Sequence, residues 1–240
     1  MQGWVVPSPR EPTKSRGELR REREEKVRWL EGEGLLRSAP IKRALLMVRR
    51  EEFVPREYRD ICYEEVPIPI PGEGATISCP HSYPLFYEPL GLAPGHRFLE
   101  VGLGSGYGAA VAREVVGSEG LVVSVELDPV TFAFGRNNLE REGYGDVVSI
   151  LGDGGLGHPE HAPYHRISVT AACRQIPPPL LEQLTSGGRV VAPVLEDGVQ
   201  RLTLFEKTPV GLRCKALCEV LYVSLRGRYA LPPAFPAARQ

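Results

Sequence analysis

From residue 96 onward, short apolar runs alternate with longer amphipathic runs. The short runs are typical of buried strands and the longer ones of helices. Because strands separated by helices need crossover connections, the alternation favours a parallel sheet with right-handed crossovers. The predicted strands are Arg97–Val101, Leu121–Val125, Val147–Leu151, Arg166–Thr170, Arg189–Pro193, Arg201–Glu206 and Glu219–Leu225. The predicted helices are Tyr107–Val116, Pro129–Glu142 and Pro178–Leu184.

The order of these elements sets the fold class. The last two predicted strands follow each other with no clear helix between them, which indicates an antiparallel hairpin. The sequence therefore predicts an α/β fold: a Rossmann-like, doubly wound, mostly parallel seven-stranded sheet with an antiparallel C-terminal hairpin and an N-terminal helical cap.

The residues before 96 supply the predicted cap. "SRGELRREREEKVRWLEGEG" predicts a charged helix, and "SAPIKRALLMVRREEFVP" predicts a second helix with Ser38 at its N-cap. "EEVPIPIPGEGATISCPHSYP" is rich in proline and glycine, which favours a loop with at most an edge strand. Met1–Thr13 is proline-rich and is expected to be poorly ordered.

Composition excludes several classes of protein. The formal net charge is −1, so no global basic field indicates nucleic-acid binding. No apolar stretch reaches the ~20 residues that a membrane-spanning helix needs, and the N-terminus lacks the apolar region of a secretory signal. The five cysteines are scattered and odd in number, which favours a reduced, cytoplasmic setting over a disulfide framework.

Two groups of possible metal ligands do not form a recognisable motif. Cys214 and Cys218 lie in a predicted strand without the paired ligands of a zinc site. His158, His161 and His165 lie in a Gly/Pro-rich loop that has no acidic or cysteine cluster beside it. We therefore expect a solvated loop and no metal site.

The stretch "FLEVGLGSGYGAAVA" joins the first predicted strand of the sheet to its helix. In a doubly wound sheet this turn is where a ligand binds, and its glycines allow close approach to the backbone. A dinucleotide-binding loop would have its third glycine where Tyr107 stands. Glu100 precedes the turn, and a carboxylate there suits a ligand with an ammonium group better than one with a pyrophosphate.

Two more acids end the next strands. Glu126 follows the loop by about 20 residues, where a carboxylate can accept both ribose hydroxyls. Asp153 ends the third strand, in a position to bind the edge of an adenine. Ammonium, ribose and adenine without phosphates describe S-adenosylmethionine. The competing interpretations are a dinucleotide site and a tight turn with surface acids.

Several stretches, in order, resemble the protein-L-isoaspartate O-methyltransferase family. They are "VRREEFVPREYRDICYEEVPIPI", "ATISCPH", "FLEVGLGSGYGAAVA", "LGDGGLGHPEHAPYHRISVTAAC" and "IPPPLLEQLTSGGRVVAPV". The resemblance implies methylation of the free α-carboxylate of isoaspartyl residues in damaged proteins or peptides, with S-adenosylmethionine as donor. The ester would then cyclise to a succinimide that can hydrolyse to normal aspartate. No nucleic-acid or membrane partner is expected.

The resemblance and the strand-end positions together predict the site. Ser78 would be the catalytic residue, hydrogen-bonding the substrate carboxylate and aiming it at the methyl group. Substrate binding is assigned to Ser78, Cys79, His81 and Tyr83. Donor binding is assigned to Thr76, Ile77, Glu100, Gly102, Gly104, Ser105, Gly106, Glu126, Leu127, Asp153, Gly154 and Thr170. The predicted segments are a flexible tail (1–17), N-terminal helices with the substrate loop (18–95), the methyltransferase core (96–230) and a C-terminal tail (231–240).

The chain departs from the family pattern on the predicted substrate side. Relatives commonly continue "SAPHMHA", whereas this chain has "SCPHSYP", so that Tyr83 replaces a histidine and Pro84 follows it. His165 stands where an acid is usual, and Arg226 stands where relatives tend to carry a smaller polar residue. Two alternatives therefore stay open: a methyltransferase for another peptide or small-molecule carboxylate, and a donor-binding interaction module without catalysis.

Overall fold

The computed structural model describes residues 8–231, and a seven-stranded sheet lies at its centre. A separate two-stranded sheet precedes it in the chain. The strands are β1 (Ile68–Pro69), β2 (Thr76–Ile77), β3 (Arg97–Val101), β4 (Leu121–Glu126), β5 (Val148–Leu151), β6 (Tyr164–Val169), β7 (Leu184–Glu196), β8 (Val199–Thr208) and β9 (Gly211–Glu219). The helices are α1 (Arg16–Gly32), α2 (Ala39–Met47), α3 (Ser82–Leu90), α4 (Tyr107–Val116), α5 (Pro129–Arg141) and α6 (Pro178–Glu182).

The order of the large sheet is β5-β4-β3-β6-β7-β8-β9. Strands β3 to β7 pair in parallel, and β7–β8 and β8–β9 pair antiparallel. The neighbours of β3 are β4 on one side and β6 on the other, so the order in which strands are added to the sheet reverses at β3. Ligands of doubly wound folds bind at such a topological switch point. The predicted fold class is confirmed.

The last predicted strand, Glu219–Leu225, is wrong. The final strand is β9, Gly211–Glu219, and most of its residues are exposed. With both faces largely in contact with solvent, β9 lacks the apolar alternation from which strands are predicted. Residues 220–225 instead leave the sheet and cross its C-terminal edge, where the Leu225 N–H donates to Ala172 O (2.8 Å).

The N-terminal helices begin where the sequence predicts, but their caps differ. Ser15 and Glu18 form a reciprocal capping box at the start of α1. Ser38 occupies the N-cap position of α2, but its side chain makes no capping hydrogen bond. Instead, its backbone N–H donates to Glu88 Oε1 (2.7 Å), which ties α2 to α3.

Helix α3 begins inside the stretch predicted to be a loop. Pro84 lies in its first turn, where backbone N–H groups have no partner within the helix, so the proline breaks no hydrogen bond there. The rest of the Pro/Gly-rich stretch contains only the short pair β1–β2, joined through Ile68 and Ile77.

The helical cap packs on one face of the sheet. Side chains of α1 and α2, including Leu30 and Leu45, share one buried cluster with Val115 of α4 and Phe98 of β3. The opposite face is covered by a second cluster that includes Leu180 of α6. None of the helices within residues 8–231 has the length and apolar character needed to cross a bilayer.

The predicted terminal tails fall partly beyond the described residues. Of the tail predicted over 1–17, residues 1–7 lie outside them, as do residues 232–240 of the C-terminal tail. Thr13, at the end of the stretch expected to be poorly ordered, is anchored: its N–H and hydroxyl donate to Asp60 Oδ2 (2.7 and 2.8 Å).

Candidate active site

A cleft of about 760 Å³ opens where β3, β4 and β6 end. Its walls are the glycine loop, the loop that carries β2, and residues 220–226, the crossing segment. Gly106 and Asp153 do not line this cleft. Of the residues predicted to bind donor or substrate, the cleft brings together Thr76, Ile77, Ser78, Cys79, His81, Tyr83, Glu100, Gly102, Gly104, Ser105, Glu126, Leu127, Gly154 and Thr170.

The glycine loop has a backbone path that side chains would obstruct. Gly102 has φ 100°, and a Cβ there would lie 2.3 Å from Thr170 Oγ1. Gly106, at the N-cap of α4, has φ 84°, and a Cβ there would lie 2.7 Å from the carbonyl oxygen of Gly135. Backbone φ values in this range disfavour residues other than glycine. The glycine loop therefore packs closely against Thr170 and Gly135, while its residues Gly102 and Gly104 line the cleft.

The carboxylate of Glu126 is oriented by backbone N–H groups. Its Oε2 accepts from Gly104 (3.0 Å), and its Oε1 accepts from Leu127 (2.9 Å) and Asp128 (3.1 Å). Glu126 thus connects the glycine loop to the end of β4, with its side chain on the cleft wall.

Glu100 lies deeper, under the first turn of α4. Its Oε2 accepts from the Ser124 hydroxyl (2.7 Å), and a Cβ at Gly108 would lie 2.3 Å from its Oε1. Burial raises the pKa of Glu100 to about 8, the Ser124 hydrogen bond opposes the rise, and the charge of Glu126 adds to it. A cation at the inner end of the cleft would favour the ionised carboxylate.

Asp153 is engaged elsewhere. Its Oδ1 accepts from the Gly155 N–H (2.9 Å) and its Oδ2 from the Arg228 N–H (2.7 Å). Gly227 lies against the carboxylate, so that a Cβ there would be 2.5 Å from it. Its neighbour Gly154 lines the cleft instead, and an adenine-binding role for Asp153 stays a prediction.

The loop that carries Ser78 is held from behind by Arg50, which is 1% exposed. The guanidinium donates from Nε to Cys62 O and from Nη2 to Ser78 O, both at 2.6 Å. It also lies over the rings of Tyr83 (5.7 Å) and Tyr107 (5.2 Å to the centroid), the latter at the start of α4. Arg50 therefore connects the Ser78 loop with the glycine-loop helix.

The Ser78 side chain lies beside Tyr222 of the crossing segment. Burial raises the pKa of Tyr222, and hydrogen bonds with the Ser82 and Ser78 hydroxyls oppose the rise. Ser78, Ser82 and Tyr222, from three separate elements, all line the cleft.

His81 belongs to a charged group at the cleft wall. Its Nδ1 contacts Glu65 Oε2, and Lys26 Nζ lies 3.0 Å from Glu65 Oε1. Burial raises the pKa of Glu65, but the hydrogen bonds from His81 and Lys26 outweigh burial and leave the pKa below its usual value.

Comparison with known proteins gives the family. Residues 21–230 match the family described as Protein-L-isoaspartate(D-aspartate) O-methyltransferase. The chain belongs to this family. The resemblance predicted from the ordered sequence stretches is confirmed.

Relatives named protein-L-isoaspartate O-methyltransferase span nearly the same length. That of Hyperthermus butylicus is 45% identical over 88% of this chain and 91% of its own. That of Methanopyrus kandleri is 48% identical over 80% of this chain and 85% of its own. A solved protein-L-isoaspartate O-methyltransferase superposes with a TM-score of 0.80 at 36% identity, covering 86% of this chain and 67% of that chain.

The residues that depart from the family pattern lie in three separate places. Tyr83 packs edge-on against Tyr107 (4.7 Å between centroids), between α3 and α4. Arg226 closes one end of the cleft, with Nη1 3.1 Å from Glu73 Oε2 and Nη2 3.8 Å from Asp128 Oδ2. His165 lies elsewhere, stacked on the ring of His96 at 5.3 Å.

The three loop histidines therefore do not converge. His158 and His161 approach each other, with 3.0 Å between their Nδ1 atoms, while His165 Nδ1 accepts from the Arg97 N–H (2.9 Å). All five cysteines are free thiols.

The sequence does not predict the roles of two residues at this cleft, Arg50 and Tyr222. Arg50 stands beside Arg49 in "MVRREEFVP", and nothing in the pattern separates the buried arginine from the exposed one. Tyr222 lies within Glu219–Leu225, the segment that the sequence predicts as the last strand. The side chain of a strand residue would point to one face of the sheet, whereas Tyr222 lines the cleft.

Proposed function

We propose that the protein transfers a methyl group from S-adenosylmethionine to the α-carboxylate of L-isoaspartyl residues in damaged proteins, which starts their repair through a succinimide. The observation that carries the proposal is the single cleft that holds both the glycine loop and Ser78. Family membership supports the same reaction, since the relatives bear its name.

The residues at the strand ends fit this donor. The backbone of Gly102 and Gly104 leaves room for a ligand, and Glu126 stands where it can accept from ribose hydroxyls. Glu100 lies at the inner end of the cleft, where an ammonium group would compensate its buried charge. When bound, S-adenosylmethionine supplies an activated methyl group on a sulfonium.

The substrate side needs alignment rather than a base. A carboxylate with a pKa near ~3.9 is already ionised at neutral pH, so no side chain has to remove a proton from it. Ser78 donates its hydroxyl to the substrate carboxylate and so sets the direction from which that carboxylate approaches the methyl group. Holding the carboxylate in line with the methyl group is the contribution that residues of this kind make to the rate.

The expected partners are proteins or peptides that contain isoaspartyl residues, met in the cytoplasm. The cleft is open between the β1–β2 loop and the crossing segment, where Leu221 is 63% exposed and Val223 is 51% exposed. Apolar side chains at the rim suit a flexible peptide rather than a charged polymer.

The test is a matched pair of peptides, one isoaspartyl and one normal aspartyl, incubated with methyl-labelled donor. We expect base-labile label on the isoaspartyl peptide alone. Equal labelling of both peptides, or of another carboxylate only, would favour the alternative methyltransferase. Donor binding without turnover on any substrate would favour the interaction module.

A further inference from the structure

Three side chains at the cleft wall offer ligand atoms of three kinds. Glu65, Cys79 and His81 each present one such atom, and the three atoms lie within 4.8 Å of one another. Cys79 and His81 line the cleft, while Cys79 is only 7% exposed and lies against the wall. The His81 Nδ1 contacts the Glu65 carboxylate, so these two groups are already adjacent, and a metal bound by both would replace the hydrogen bond between them.

The ligand types indicate which ion would bind. Thiolate, imidazole and carboxylate are the three side-chain ligands of zinc in proteins, usually four-coordinate and tetrahedral. A sulfur ligand disfavours magnesium and calcium, which take oxygen ligands. Of the three residues, Cys79 and His81 line the cleft, so a zinc ion held by them could take water or a substrate carboxylate from the cleft as its fourth ligand.

Lys26 leaves this arrangement intact. It uses one carboxylate oxygen of Glu65, Oε1 at 3.0 Å, and leaves Oε2 directed at His81. Its ammonium also lies 4.5 Å from the ring centroid of Trp29, so it is held on the far side of the carboxylate. Carboxylates that bind metals are commonly oriented by a second hydrogen bond of this kind.

We propose that Glu65, Cys79 and His81 form a zinc-binding site on the cleft wall, and that bound zinc inhibits methyl transfer. On binding, a Zn–S bond forms as the Cys79 S–H bond breaks, and the proton passes to solvent. His81 binds through the lone pair of a neutral ring nitrogen and Glu65 through a carboxylate oxygen. No oxidation or reduction is involved.

Inhibition follows from the position of the site. Ser78 directly precedes Cys79, so a metal that joins Cys79 and His81 to Glu65 fixes the loop around the Ser78 hydroxyl. The open zinc position also competes for the substrate carboxylate, because a dication attracts that group more strongly than a hydroxyl does. This half of the proposal rests on the proposed function, whereas zinc binding itself does not.

Binding is tested on the full chain, without a polyhistidine tag, by zinc titration against a chromogenic chelator. We expect one zinc per chain, and at least about tenfold weaker binding after Cys79→Ala or His81→Gln. The control is His161→Gln, which removes a ligand from the other His/Glu group of the described residues, His158, Glu160 and His161. Loss of binding in the control, or unchanged binding in Cys79→Ala, overturns the proposed site.

A second readout needs no activity. Cobalt bound in place of zinc should give a thiolate-to-metal charge-transfer absorption that disappears in Cys79→Ala and persists in His161→Gln. Absence of that band in the unaltered chain would show that Cys79 is not a ligand.

Inhibition is then measured as the ratio of methyl transfer with and without zinc, for each variant against its own metal-free rate. We expect the ratio to fall for the unaltered chain and for His161→Gln, and to stay near one for Cys79→Ala. Active enzyme that binds zinc with no change in rate overturns the inhibitory half. If zinc binds as expected and no peptide is methylated, the proposed function fails and the inhibitory half with it, while the metal site stands.

Discussion

Two facing walls of the cleft are built in different ways. The donor wall is mainly backbone: the glycine loop and the ends of β3 and β4, whose positions are set by the pairing of parallel strands. The opposite wall is a loop held by side chains from distant parts of the chain, with Arg50 behind Ser78 and Glu65 beside His81.

This difference shows where change can accumulate. A backbone-built wall fails when its geometry changes, so few substitutions are tolerated in the glycine loop. In a wall built from side chains, a substitution can replace one contact with another without moving the backbone. Two departures from the family pattern, Tyr83 and Arg226, make side-chain contacts of this kind.

Gly106→Ala should disrupt the donor wall. The substitution combines a positive φ with a Cβ 2.7 Å from the Gly135 carbonyl oxygen, so the backbone must move. We expect the free energy of unfolding to fall by about 1–3 kcal/mol and turnover to fall by more than about a hundredfold. Denaturant unfolding and the rate of methyl transfer to the isoaspartyl peptide measure the two effects. The control is Gly145→Ala, because a Cβ at that position meets no atom within 4 Å. Equal losses of stability and turnover in the two variants would contradict the geometric cause.

Ser78→Ala should lower turnover while the donor affinity stays nearly unchanged. Loss of one hydrogen bond to a charged group costs about 1.5–3 kcal/mol, which is roughly tenfold to a hundredfold in rate. Single-turnover kinetics and equilibrium donor binding separate the two quantities. Ser82→Ala removes the other hydroxyl beside Tyr222 and should have the smaller effect. A collapse of donor affinity in Ser78→Ala would show that the two walls are not independent.

Arg50→Met tests whether the substrate wall depends on its support. The variant leaves the carbonyls of Cys62 and Ser78 without their buried donor, which should cost about 1–3 kcal/mol of stability. We expect kcat for the isoaspartyl peptide to fall severalfold, because the Ser78 loop is no longer held. Arg49→Met is the matched control, since Arg49 is exposed and pairs with Glu142. Identical kinetics for the two variants would remove Arg50 from the site.

Glu100→Gln should change the pH dependence of stability. The folded-state pKa of about 8 lies above the usual 4.5, so the folded chain keeps a proton that the unfolded chain loses between these values. Stability therefore falls as pH rises through this window, and the glutamine variant should show a flatter curve. Urea unfolding at several pH values measures the slope, with Glu119→Gln as an exposed control. A slope unchanged by Glu100→Gln would place the titration elsewhere.

The sequence predicts the donor wall better than the substrate wall, for a physical reason. The glycine loop, β3 and α4 are local features whose pattern appears in consecutive residues, and β3 and α4 have the predicted bounds. The support of Ser78 by Arg50 joins residues far apart in the chain, which no local pattern reveals. The position of β9 was missed because its residues face solvent on both sides.

The crossing segment has a consequence for the order in which the protein is made. Residues 220–226 leave the ribosome after all of β7, β8 and β9, whereas the other cleft residues, except Glu219 at the end of β9, emerge before β7. Domains fold as their elements emerge, so the sheet and glycine loop can form on the nascent chain while the wall that holds Tyr222 is still missing. A nascent chain at that stage has a donor loop without a closed substrate side, and competence for methyl transfer arises only once residues 220–226 have emerged.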